Sequence, residues 1–187
     1  MLILMYLAKN TIPVRLFSIR NARLETTLIK TEKFKPIVEI GAYSLMPNHF
    51  HFVLREIQEG GIALFMQKIF TGYTMYFNQK NDRIGALFAG TYKSKHVAND
   101  EYFKHLISYV HMNPAELFEP KWKDGVGDVR KMEKNLMQYP YSSLLEFVGQ
   151  ERPQKLLLDE SILEFFDRSP SIRQMLREAR AYEHLPF

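Results

Sequence analysis

The sequence predicts an α+β fold, and three observations carry that expectation. Two short runs rich in β-branched and aromatic residues, 37–45 and 50–54, follow one another across a tight Met46-Pro47-Asn48 link; most of the remaining apolar residues recur at helical spacing; and no repeat or low-complexity tract interrupts the 187 residues. At 46% hydrophobic and 25% charged, the composition is that of a folded globular chain long enough to bury a core.

Taken in order, residues 1–8 are apolar but far short of the ~20 needed to span a bilayer. They carry no basic leader, so the expectation is the end of a buried helix or strand, with neither a signal peptide nor a membrane anchor. Leu16, Ile19, Leu24, Leu28 and Ile29 mark a helix over 16–33, which Pro36 stops. The strands 37–45 and 50–54 then form an antiparallel hairpin.

Gly60-Gly61 breaks the chain before a long helix over 62–79, with Leu64, Phe65, Ile69, Tyr73, Tyr76 and Phe77 along one side. Residues 86–97 read as extended, placing Lys93 and Lys95 on one face. A helix over 101–112, started by Asn99 or Asp100, buries Phe103, Leu106, Ile107 and Val110. Beyond a linker-like run at 122–127 and a polar stretch to 138, a short helix begins at Tyr139-Pro140-Tyr141-Ser142-Ser143, and helical patterns cover 156–166 and 172–182.

Charge narrows the partners. The net charge is +4 and the pI near 9.2, with seven Lys/Arg against two Glu in the first 35 residues. A basic side suits a polyanion, although a solvated basic surface gives the same numbers. Zero cysteines exclude disulfides and thiolate metal sites, leaving His, carboxylate or amide oxygen for any metal.

His49 and His51 give that possibility a location. On a strand, side chains two apart share a face, so both imidazoles point one way while Phe50, Phe52 and Leu54 point the other. With six histidines, a His-x-His arises by chance in roughly one such chain in five, so the pair needs a third ligand. Tyr109 and Asn113, four apart on the 101–112 helix and its end, share a face with each other.

Four blocks occur in order: Leu45-Met46-Pro47-Asn48-His49-Phe50-His51-Phe52-Val53-Leu54, Gly90-Thr91-Tyr92-Lys93-Ser94-Lys95, Asp100-Glu101-Tyr102-Phe103 and Ser108-Tyr109-Val110-His111-Met112-Asn113-Pro114-Ala115. Together with the weaker Tyr139-Pro140-Tyr141-Ser142-Ser143 they resemble the signature of single-strand DNA transposases of the HUH class. These are the small tyrosine transposases of minimal insertion sequences and the REP-associated tyrosine transposases.

The resemblance implies a ferredoxin-like antiparallel sheet with helices on one face, a catalytic domain over 1–120 and a C-terminal helical extension over 121–187. It implies His49, His51 and Asn113 as ligands of Mn²⁺ or Mg²⁺, Tyr109 as nucleophile, and a cytoplasmic protein acting on single-stranded or hairpin DNA through a 5′-phosphotyrosine. Lys93, Lys95 and Arg83 are the expected DNA contacts. The family's usual opening strand has no counterpart, so the expected sheet has an edge that a second copy, in a homodimer, would complete. A non-catalytic DNA-binding derivative and a metal-dependent hydrolase of small phosphoesters are the alternatives.

Overall fold

The computed structural model describes residues 1–14, 34–166 and 169–181. The helix expected over 16–33 lies outside these, as does Tyr182. The fold is α+β, a two-stranded antiparallel sheet with helices, divided into two compact units: Met1–Ile40 with Leu54–Lys93, and Gly41–Val53 with Ser94–Phe187. Strands β1 (Val38–Leu45) and β2 (Phe50–Glu56) pass through both. Met46 N–H donates to His49 O at 2.8 Å, closing the hairpin around Pro47 and Asn48.

In the first unit, α1 (Leu2–Ala8) buries Leu4, Met5, Leu7 and Ala8 against α2 (Gly61–Lys80). The buried stripe of α2 is Phe65, Met66, Ile69 and Gly72, so the helix is turned from the expected face and Leu64 is exposed. Gly61 opens α2 against the chain at Ile37, whose carbonyl oxygen would lie 2.2 Å from any Cβ there. Residues 86–97 join no named strand. Instead Phe88 stacks on Phe70 of α2 at 4.4 Å between ring centroids, and Tyr92 meets Phe70 edge-on, because aromatic burial on a helix offers Phe88 more than a ladder interrupted by Gly85 and Gly90.

The second unit is built on α3 (Asp100–Met112). Asn99 caps it by accepting the Tyr102 N–H at 2.8 Å, an arrangement that stabilises a helix start by about 1 kcal/mol. Its inner face, Leu106, Ile107 and Val110, shares a core with Ala42 and Val53 of the hairpin and with Met175, Leu176 and Ala179 of α7 (Ile172–Ala181). Buried Ser108 donates to Glu178 of α7 at 2.7 Å.

Trp122, placed by sequence in a linker, is 2% exposed and belongs to this core. A short helix, α4 (Ala115–Phe118), precedes it, and the expected polar stretch contains α5 (Val129–Met137). That helix is capped by Asp128 and anchored by Met132 and Leu136 at i, i+4. The 156–166 pattern forms two 3₁₀ segments, Pro153–Leu157 and Glu160–Phe165.

The segment before α6 (Leu144–Phe147) acts as an added strand on the free edge of β1. Leu45 N–H donates to Tyr141 O (2.9 Å), Ser143 N–H to Tyr43 O (3.0 Å), and Tyr139 Oη to Leu45 O (2.5 Å), around an antiparallel bridge between Ser44 and Ser142. Arg152 holds it with a fork of two 2.6 Å contacts to the carboxylate of nearly buried Glu146 and a bond to Ser142 O.

Ser143 Oγ accepts the Tyr43 N–H (2.8 Å), donates to Tyr43 O (3.2 Å) and meets Nε2 of fully buried His111 at 2.9 Å. With the Ser143 proton committed to Tyr43, His111 supplies the proton from Nε2. Nδ1 is then a buried lone pair with no partner among the described residues, and burial lowers the His111 pKa to about 3.

Two outcomes follow from this packing. Gly61→Ala should cost roughly 1–3 kcal/mol in denaturant unfolding, since the Ile37 backbone has to move. Native His111 refuses a proton that the unfolded chain accepts below pH 6.5, so its contribution is fully present above 6.5 and fades as pH falls toward about 3. The slope approaches about 1.4 kcal/mol per pH unit. Between pH 6.5 and 5, urea unfolding of His111→Gln should show a flatter pH dependence than the native chain, and equal slopes would refute this account.

Candidate functional site

Four side chains converge in the second unit, two from the hairpin and two from the end of α3. Alternation along β2 sends His51 and Val53 to one face; Val53 enters the core beneath α3, which turns the histidine pair toward the helix. The His49 and His51 rings lie 5.1 Å apart, while Phe50 and Phe52 pair on the opposite face. On α3, Tyr109 presents its ring edge-on to His51 at 5.5 Å, and Asn113, one turn on, brings Oδ1 to 3.2 Å from His49 Nε2.

Asn113 is the joint of the cluster. It is 5% exposed, faces His49 with Oδ1 and hydrogen-bonds the Tyr109 hydroxyl in the sense that favours the phenolate, which assigns its N–H to the tyrosine. His49 is exposed, and its Nδ1 meets Asn48 Oδ1 at 2.8 Å.

In the tautomer that donates from Nδ1 to Asn48 Oδ1, His49 Nε2 and Asn113 Oδ1 are two acceptors side by side, and a shared cation suits that pair. Two adjacent ligands of an octahedral ion at about 2.1 Å sit roughly 3 Å from each other, close to the observed 3.2 Å. His51 has its pKa lowered to about 4 by burial, then by His49 and Lys123, which keeps its lone pair available near neutrality. Two imidazoles and an amide oxygen therefore fit a divalent metal. Among the described residues no group of three or more His, Cys, Asp and Glu could hold a metal ion, and the set here is two histidines with an amide.

The tyrosine has an uneven environment. Burial raises the Tyr109 pKa above its usual 10, Glu116 raises it further, and the Asn113 hydrogen bond opposes both. Lys123 Nζ stands 5.6 Å from the centre of the Tyr109 ring. Lys123 and Asn48 were not singled out by sequence reasoning. Asn48 adjoins His49 and was readable as its orienting partner, whereas Lys123 lies 14 positions from Tyr109 in a run that reads as linker.

Of the expected DNA contacts, one belongs to the unit that holds this cluster. Lys95, in the same unit, is exposed and lies over the Tyr102 ring at 5.4 Å; Lys93 and Arg83 belong to the first unit, Lys93 exposed and Arg83 over Phe77 at 5.7 Å.

Metal-ligating histidines depend on the partner of their second nitrogen. Asn48→Ala should therefore weaken Mn²⁺ binding roughly 10- to 100-fold in calorimetric titration. An unchanged Kd would remove Asn48 from the site.

No family model, curated protein or solved structure matches this chain.

Proposed function

We propose that the chain is a metal-dependent enzyme of the HUH tyrosine transposase type, cytoplasmic, that nicks and rejoins single-stranded or hairpin DNA with Tyr109. The observation that carries the reading is the 3.2 Å approach of Asn113 to His49 beside the His51–Tyr109 ring contact. It joins four residues that the sequence resemblance selects independently of geometry. The hairpin with α3 across its histidine face suits a ferredoxin-like sheet with helices on one face, which is the fold this reading carries.

A divalent cation held by His49, His51 and Asn113, Mn²⁺ or Mg²⁺, would supply polarisation of a phosphate oxygen. The chain's own residues account for the rest. Tyr109 is protonated near neutrality, and its hydroxyl gives its proton to water as Oη bonds phosphorus. The bond from phosphorus to the 3′ oxygen breaks, that oxygen takes up a proton, and a 5′-phosphotyrosine remains. Asn113 orients the hydroxyl and favours its ionised form. Because one phosphodiester replaces another, a 3′-hydroxyl can reverse the step without ATP.

The test is incubation with hairpin-bearing single-stranded DNA and Mn²⁺. A covalent adduct stable to denaturing electrophoresis is expected from the native chain and none from Tyr109→Phe, with His51→Ala below detection. An adduct persisting in Tyr109→Phe would sink the assignment. DNA binding without any adduct would support the non-catalytic derivative, and phosphoester hydrolysis surviving Tyr109→Phe the hydrolase.

A further inference from the structure

Away from the histidine pair, the second unit holds a cleft of about 610 Å³ lined by Arg130, Arg173, Arg177 and Arg180, with Gly127 and Asp128 at its edge. Arg173, Arg177 and Arg180 recur at i, i+4 and i+7, so they form one row on α7, while Met175, Leu176 and Ala179 bury its other side. Arg130 faces them from the first turn of α5.

The acids present do not cancel this charge. Glu133 pairs with Arg173 at 3.0 Å, and Asp128 is engaged as the cap of α5. Arg130 and Arg177 are exposed and make no hydrogen bond or ion pair among the described residues.

One segment joins the cleft to the tyrosine. Arg180 donates to the carbonyls of Lys123 (2.9 Å) and Asp124 (3.1 Å), and the same Lys123 extends its ammonium over Tyr109. A cationic path therefore runs from the Tyr109 ring through Lys123 to the arginine row.

The geometry points to this cleft as a binding site for the sugar-phosphate backbone of a single strand, the continuation of the strand whose phosphate lies at Tyr109. The inference rests on the proposed function only for that junction. Guanidinium forks suit phosphate oxygens in two-point contacts. From Arg173 to Arg180 the helix rises about 10 Å, the axial rise of roughly three nucleotides of a strand stacked as in a duplex. A lipid surface is the poorer match, because the apolar side of α7 is already buried and nothing apolar on that helix remains to insert.

The experiment measures fluorescence anisotropy of a labelled hairpin-bearing single strand in EDTA, on the full chain carrying Tyr109→Phe, across a salt series. Adding Arg130→Gln and Arg177→Gln should weaken binding about tenfold and reduce the slope of log K against log salt by about 1.4, two single-strand phosphate contacts. Arg130→Lys with Arg177→Lys should keep the slope, which separates charge from a folding defect. Unchanged affinity and slope in the Gln pair would overturn the inference. So would loss, in that pair, of binding to phosphatidylserine vesicles while DNA affinity stays the same. The adduct assay with Tyr109 restored reports separately: no adduct, with affinity still lost in the Gln pair, retains the cleft and removes the cutting role.

Discussion

The hydroxyl of Ser143 ties the second unit together. A single oxygen accepts one strand N–H, donates to the carbonyl of the same residue, Tyr43, and receives the buried His111 of α3. It thereby fixes β1 to the helix that carries Tyr109 and Asn113. Such a node has a condition attached, because three groups share one hydroxyl away from water and losing any one strands a buried polar atom. Burial there keeps the imidazole of His111 neutral, and its Nδ1 has no hydrogen-bond partner among the described residues.

What the node positions is a joint between strand and helix. The histidine pair is set by alternation on β2, the tyrosine and amide by one turn of α3, and neither element alone makes a site. Asn113 completes it by using both ends of one amide, oxygen toward His49 and N–H toward Tyr109. The opposing influences on Tyr109 show which effect wins. Desolvation and Glu116 outweigh the hydrogen bond, so the resting hydroxyl is protonated, and only positive charge brought close to it would favour its ionised form. Lys123, and beyond it the arginine row of α7, already provide positive charge on that side.

Much of this was legible in the sequence, for identifiable reasons. The hairpin, the long helix after Gly60-Gly61 and the Asn99-capped helix were readable because their signals are local: β-branched runs around a turn, a glycine break, a cap ahead of an apolar stripe. Residues 86–97 were not, since alternation alone does not reveal that Phe88 finds a better partner on α2 than in a ladder. Helix α5 was hidden because only Met132 and Leu136 are fully buried and charged residues dominate the positions around them. The 139–143 segment reads as a helix start, yet the helix begins only at Leu144 and residues 141–143 pair with the edge of β1, which is a property of β1's unfilled hydrogen bonds as much as of the segment itself.

The sequence by itself determined the residues of the candidate site and the faces they occupy, because strand and helix periodicities are written into spacing. Tertiary structure alone decided that His49 meets Asn113 across 64 positions, that Trp122 is core rather than linker, and that Lys123 joins Tyr109 to an arginine cleft. Those contacts rest on packing between elements distant in the chain, where burial and hydrogen-bond satisfaction choose among partners that local pattern leaves equivalent.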